Sequence, residues 1–320
     1  MKRIRITAAV CLLVSALAGC GDDGGTEVDS EGNRQVTIGM LPIVPTAALY
    51  AGIDQGFFED RGIELEVETG QGGAALLPAV MSGDIQFASS NPVSLLTARD
   101  QGLEVQAVSH WTSEHETPEE SINGVVAAKG SPIQSAKDLA GKTVAINTLK
   151  SMGDLTIREA VRQDGGDPDQ VKFIELGFPD MPAALAQGNA DAVWVPEPFM
   201  GSLLAEGNQL VTNPCLATAP GMPTQLIFTS PELAKSDPEL VKDMTAALEE
   251  TLEYAEANPD DVRAHIADVI PDFPEEAAAN IRLEAFGTDM REAQLERIGD
   301  LMKEEGWVEN DPDVPGLLGG

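Results

Sequence analysis

Four short segments gather side chains able to hydrogen-bond a small molecule, and each falls where a β-rich run gives way to a helical one. Pro42 and Thr46 bracket the first. Ser89-Ser90-Asn91 forms the second, ahead of a helix opening at Pro92. Thr148, Ser151 and Met152 belong to the third, and Trp194 and Glu197 to the fourth. Open α/β sheets bind ligands where strands end, and helix N-termini offer free N–H groups there. Any single Ser or Asn at such a place could instead be only the N-cap of its helix. Lys150 is the sole base in the four segments, so a small anion would rest mainly on hydroxyls and backbone N–H groups. Glu197 points the other way. It could accept hydrogen bonds from an amine or an aminopyrimidine while Trp194 or Trp111 stacks on the ring, or it could be a first-turn acid that stabilises its helix.

Catalytic patterns are missing from the sequence. There is no nucleophile elbow, phosphate loop or nicotinamide fingerprint. His110, His115 and His265 are the only histidines, and His110 and His115 lie near Glu114 and Glu116. Their spacing fits no metal pattern, and the cluster reads as a solvated acidic connector. His110-Trp111 falls at a crossover between lobes and is a candidate for the cleft mouth. Binding without catalysis, metal or cofactor is the expectation.

The net charge of −33 opposes nucleic acid and anionic lipid as partners. Hydrophobic residues make up 42% and aromatics 4%, which describes a globular chain with an aliphatic core. At the start, Met1-Lys2-Arg3-Ile4-Arg5 is basic and residues 6–17 are mostly apolar, the length of a secretion signal. Leu17-Ala18-Gly19-Cys20 then resembles the bacterial lipobox, which implies cleavage before Cys20 and a diacylglycerol on its sulfur. That cleavage removes Lys2, Arg3 and Arg5 and moves the charge to −36. Cys11 leaves with the signal and Cys20 carries lipid, so Cys215 has no disulfide partner; it is either a buried small hydrophobe or a reactive thiol. Residues 21–35 read as a polar tether. No other apolar run is long enough to span a bilayer.

Order is expected from residue 36. Strands are predicted at 36–40, 63–67, 85–88, 105–108, 124–128, 143–146, 171–174, 192–195 and 225–229. Helical stretches fall at 46–55, 74–81, 92–100, 152–163, 181–187 and 197–205, a spacing that implies mainly parallel sheets. After residue 230 only helices are expected, at 231–236, 238–258, 259–270, 274–286 and 290–306, several opening on proline. Residues 311–320 are expected to fray. Composition breaks at 114–120 and 214–223 suggest an inserted lobe. The division is then residues 1–19 signal, 20–35 tether, 36–112 with 224–306 lobe I, 113–223 lobe II with its connectors, and 307–320 tail.

Four motifs in order carry a family resemblance. They are Tyr50-Ala51-Gly52-Ile53-Asp54-Gln55-Gly56-Phe57-Phe58-Glu59-Asp60-Arg61-Gly62-Ile63, then Leu76-Leu77-Pro78-Ala79-Val80-Met81-Ser82-Gly83-Asp84-Ile85-Gln86-Phe87-Ala88, then Asp138-Leu139-Ala140-Gly141-Lys142-Thr143-Val144-Ala145. The last runs from Ala184 to Phe199, with Gly188-Asn189-Ala190-Asp191-Ala192 inside it. Together they resemble solute-binding proteins of ABC importers in the nitrate/sulfonate/taurine group, related to binders of thiamine pyrimidine precursors. The motif residues themselves read as βα connectors and build scaffold. The resemblance implies an α/β, two-lobed periplasmic-binding-protein type II fold with a mixed sheet flanked by helices in each lobe and a hinge of two crossovers. A monomer is expected, and the lipobox independently places it on the outer face of the membrane, anchored by lipid. Such a protein captures a small solute (sulfonate, taurine, nitrate or an aminopyrimidine) and passes it to a permease with its ATPase. Enzymes on the same scaffold are the rival class, but the cysteine- and histidine-rich stretch that one type needs is missing here.

Overall fold

The computed structural model describes Val28, residues 32–271 and residues 273–319. Cys11, Cys20 and most of the expected tether lie outside the described residues. In chain order the elements are β1 (Arg34–Met40), α1 (Thr46–Asp54), β2 (Ile63–Thr69), α2 (Gly73–Ser82), β3 (Phe87–Ser90), α3 (Pro92–Asp100), β4 (Gln106–Ser113) and β5 (Asn123–Ala127). Next come β6 (Thr143–Ile146), α4 (Met152–Gln163), β7 (Lys172–Glu175), α5 (Met181–Ala186), β8 (Ala192–Pro196), α6 (Phe199–Ala205), β9 (Gln209–Thr212), α7 (Pro214–Thr218) and β10 (Pro223–Thr229). The chain ends with α8 (Pro231–Ser236), α9 (Pro238–Ala257), α10 (Pro259–Ala264), α11 (Ile266–Val269), α12 (Glu275–Ala278), β11 (Ala285–Phe286), α13 (Glu292–Glu304) and α14 (Val314–Leu317). No helix among the described residues is long and apolar enough to cross a membrane.

Two sheets result. The first runs β11-β4-β10-β3-β1-β2 and the second β7-β6-β8-β5-β9. In the first, β1 pairs parallel with β2 and β3, whereas β10 runs antiparallel to β3 and β4, and β11 to β4. In the second, β6 is parallel to β7 and β8, and β5 is antiparallel to β8 and β9. Both sheets are thus mixed, less parallel than βα spacing alone suggests. The chain passes between them twice, from β4 to β5 and from β9 to β10. Each crossing delivers an antiparallel strand, and this is why parallel pairing stops there.

Period-two alternation explains which face each strand buries. Val36, Ile38 and Met40 of β1 pack with Leu49 of α1 and Leu248 and Leu252 of α9 in one core cluster. Val93 and Leu96 of α3 join Leu295 and Ile298 of α13, Val144 of β6 and Val193 of β8 in another, which reaches from the first sheet to the second. Caps place the C-terminal helices: Ser230 Oγ accepts from Leu233 N at 3.1 Å and Asp237 Oδ1 from Leu240 N at 2.9 Å.

Three expectations change. The helix expected over 274–286 covers only α12, and the chain then extends so that Ala285 and Phe286 pair with Ser113 and Thr112. Covering the open edge of β4 outweighs local helix propensity. The helix expected over 259–270 is split into α10 and α11 at His265. Finally, residues 311–319 do not fray. Leu317 of α14 is fully buried, Arg99 pairs with Asp313, and Asp313 Oδ1 caps the turn by accepting from Gly316 N at 3.0 Å.

Candidate functional site

A cavity of about 60 Å³ lies between the two sheets, at the ends of strands from both. The first sheet's side supplies Leu41 and Ile43 after β1, Asn91 after β3, Thr224 and Gln225 at the start of β10, and Glu284 just before β11. From the second come Ile122, Asn123, Asn147, Met152, Phe178, Trp194 and Pro196, with Cys215 of α7. The volume holds about four ordered waters, the scale of one small ring.

Apolar groups make the walls. Trp194 and Phe178 meet with ring centroids 5.9 Å apart and planes tilted by 59°. Gly153 in the first turn of α4 lets that helix lie flat on the indole, since a Cβ there would come within 2.5 Å of Trp194 Cε3. Trp194 Nε1 donates to Asn123 Oδ1 at 3.2 Å, and Asn123 Nδ2 donates to Glu114 Oε2. Asn213 Nδ2, from the return crossover, donates to the Asn123 carbonyl at 2.9 Å. Asn123 thereby joins both crossovers to the wall of the cavity.

Polar groups from the two sheets also meet directly. Asn91 Oδ1 caps α3 by accepting from Ser94 N at 3.0 Å, and its Nδ2 donates to Ser151 Oγ at 3.0 Å. Ser94 Oγ lies 3.1 Å from the same Ser151 oxygen. Ser151 precedes α4 but makes no side-chain cap; its hydroxyl is spent across the cleft.

Charge in the site is acidic. Burial pushes the Glu284 carboxyl up to about 7, against hydrogen bonds from Thr112 and Thr224, with the Glu114 charge adding to the rise. Glu114 is raised as well, again chiefly by burial, although His115 N–H, the Ser121 hydroxyl and Ile122 N–H oppose it. Cys215 is completely buried, and burial followed by the Glu114 charge holds it as a neutral thiol. Of its two sequence readings, this is the small hydrophobe. Among the described residues the cavity lining contains no Lys, Arg or His.

The residues expected from sequence are distributed unevenly. Asn91, Met152 and Trp194 line the cavity, and Ser151 bonds to one of its walls. Thr46 is buried behind it, donating to the Leu41 carbonyl at 2.6 Å. Ser89 and Ser90 are buried in β3 with hydroxyls that have no partner, and Ser90 is pressed against Gly73 at the start of α2. Pro42 and Thr148 are partly exposed beside the lining. Glu197 lies outside, in a surface groove with Arg282, where its carboxylate accepts from Gly201 N at 2.9 Å. That is the helix-stabilising reading of this acid. Lys150 is exposed in another groove, with φ of 50°. Trp111 and His110 do not reach the cleft mouth: Trp111 sits in the core under α1 and α9, and His110 bonds to the Gly287 carbonyl.

Asn123, Asn147, Phe178, Gln225 and Glu284 were not singled out from sequence. Asn147 ends a predicted strand and was accessible to the same strand-end rule. Gln225 and Glu284 depend on long-range pairing and carry no local signal.

Two mixed sheets, linked by two crossovers with a partly open cavity between their strand ends, define the two-lobed periplasmic binding protein fold. The alkanesulfonate-binding protein SsuA from Xanthomonas axonopodis pv. citri, solved with MOPS bound, superposes with a TM-score of 0.74 at 17% identity, covering 88% of this chain and 97% of that one. The chain belongs to the NMT1/THI5-like family, which matches residues 45–262. It is 25% identical over 193 residues to the formylaminopyrimidine-binding protein of Halalkalibacterium halodurans, covering 60% of this chain and 56% of that protein. It is also 25% identical over 216 residues to the taurine-binding periplasmic protein of Escherichia coli K12, covering 67% and 64%. These matches therefore span somewhat more than half the length of the curated relatives.

Proposed function

We propose that the chain is the extracytoplasmic solute-binding component of an ABC importer, and that its solute is a small, flat nitrogen heterocycle carrying amino groups, of the aminopyrimidine type. The lobes close about the crossovers after β4 and after β9, enclose the solute between the strand ends, and the closed body docks on a permease driven by its ATPase. A lipid on Cys20 and the tether of residues 21–35 keep this monomeric body at the outer face of the membrane. No catalytic step is assigned to it.

The observation that carries the choice of solute is the lining: aromatic and aliphatic walls, amide groups, a buried carboxyl and no cation among the described residues. A sulfonate or nitrate held here would lack a cationic partner, and once the lobes close over it an unpaired buried charge costs on the order of several kcal/mol. Helix N-termini do not substitute for one. Asn91 already caps α3, and although α4 has no side-chain cap, the Asp154 carboxylate in its first turn already places a negative charge there and opposes a second one. A planar ring with N–H donors suits Trp194, Phe178 and the acceptors instead.

Calorimetric titration with taurine, an alkanesulfonate, nitrate, bicarbonate and aminopyrimidines tests the reading. Binding of an aminopyrimidine at micromolar or lower concentration, with the anions silent, is the expected result. Tight binding of an anion alone would overturn the solute class, and turnover of any of them would overturn the transport role.

A further inference from the structure

The Glu284 carboxyl and the Gln225 amide form an edge whose hydrogen-bonding capacity the fold leaves unused. Thr224 and Gln225 are consecutive in β10, so regular alternation would send them to opposite faces. The pairing of β10 with β4 slips on either side of Gln225, and such a bulge re-aims a side chain; both residues consequently line the cavity. Thr224 Oγ1 donates to Glu284 Oε2 at 2.8 Å and fixes that carboxyl at the cavity wall. Gln225 Oε1 is buried and has no hydrogen-bond partner. Leaving a buried acceptor unpaired costs about 1–3 kcal/mol, which a donor on the solute would recover.

Charged and titratable neighbours leave the carboxyl free for a ligand. Glu114, from the first crossover, adds only negative charge. Cys215 of α7 remains a thiol. His115 is turned to the Leu283 carbonyl at 2.8 Å, and Arg282 points to Glu197 at 3.7 Å.

Building on the solute class argued above, we propose that Glu284 and Gln225 read an amidine-like N=C–NH2 edge of the solute. One proton is shared between the Glu284 carboxyl and the ring nitrogen, the amino group donates one hydrogen to the carboxyl, and its second hydrogen goes to Gln225 Oε1. Either a neutral ring meets the acid or a protonated ring meets the carboxylate, and the complex holds the same single proton in both cases. A neutral ring meeting ionised Glu284 must take that proton from solvent, so affinity declines as pH rises above about 7, where the carboxyl ionises.

The test uses the full chain and two probes of matched shape, 4-amino-2-methylpyrimidine and 2,4-dimethylpyrimidine, titrated calorimetrically across pH. The unmodified chain should bind the amino probe at least about tenfold more tightly than the dimethyl probe. Glu284→Leu should erase that preference. Glu284→Gln, whose amide can donate to the ring nitrogen and accept from the amino group without an added proton, should keep the preference and lose the alkaline decline. Gln225→Met, which preserves length and removes the acceptor, should weaken the amino probe alone, and unfolding midpoints report whether each variant folds. If the amino probe binds and neither Glu284→Leu nor Gln225→Met reduces the preference, the edge is overturned while the solute class stands. If the unmodified chain fails to bind the amino probe, both are overturned.

Discussion

Trp194 and Glu114 are mechanically connected although they lie in different parts of the fold. Glu114 sits in the crossover after β4, Trp194 in the middle of β8, and the side chain of Asn123 bridges them, accepting from the indole and donating to the carboxylate. The Glu114 carboxylate also accepts from His115 N at 2.9 Å and Ser121 Oγ at 3.1 Å. Any rotation that alters the crossover therefore bears on the aromatic wall of the site.

Replacing Asn123 with Ala removes that bridge. Two buried hydrogen bonds are lost and the indole is free to rotate. Each such bond is worth about 1 kcal/mol, so aminopyrimidine affinity should fall by roughly tenfold or more. Titration calorimetry measures this, and a shift in tryptophan fluorescence in the solute-free protein should accompany it. An unchanged affinity would mean that the indole does not face the solute.

Stability should depend on pH through Glu284. Its folded value of about 7 lies above the ordinary 4.5, so its contribution is complete below about 4.5 and is lost as pH rises through about 7. The difference corresponds to about 3 kcal/mol. Glu284→Gln has no proton to lose and should be flatter than the unmodified chain across that window in denaturant melts. Asp313, held below its ordinary range mainly by the Arg99 hydrogen bond, acts oppositely: its stabilisation is present above its ordinary value and fades as pH falls below it. That lower limb should be common to both proteins.

Gly153→Ala should damage the site without touching a polar group. The new methyl would press on Trp194 from α4, and overpacking of this kind costs about 1–3 kcal/mol. The expected outcome is a lower unfolding midpoint together with weaker solute binding. Gly165→Ala provides the comparison, because a Cβ there meets nothing within 4 Å; although its positive φ costs stability, binding should be unchanged.

Strand-to-helix junctions were legible because their signals are local: apolar runs, proline at helix starts and cap residues. Asn91, Met152 and Trp194, chosen on that basis alone, lie in the cavity lining. Glu197 satisfied the same rule and still lies outside, since a junction residue can turn to its own helix as readily as to the cleft. Gln225 and Glu284 escaped for another reason. Their positions depend on an antiparallel strand returning from the other lobe, a bulge within it and a two-residue strand covering an edge. Those pairings join residues more than a hundred positions apart, and no local pattern announces them.

A cluster of ion pairs away from the cavity joins the two sides of the cleft. Glu305, at the end of α13, meets both Arg158 and Arg162 of α4, and Arg297 of α13 meets Glu159 of α4 at 3.0 Å. Glu305 is mostly buried, but Arg162 and Arg297 are 40% and 39% exposed, so solvent screening holds their contacts nearer the roughly 1 kcal/mol of surface pairs. They join α4 on the second sheet's side to α13 on the first. Glu305→Ala should therefore shift the solute-free protein toward open forms, read as a larger radius of gyration in solution scattering. The apparent affinity should fall by the reduction in the closed fraction, with the solute contacts themselves unaltered. If Glu305→Ala left both the radius and the affinity unchanged, the cleft would be held shut by the Asn91–Ser151 contact and the apolar walls alone.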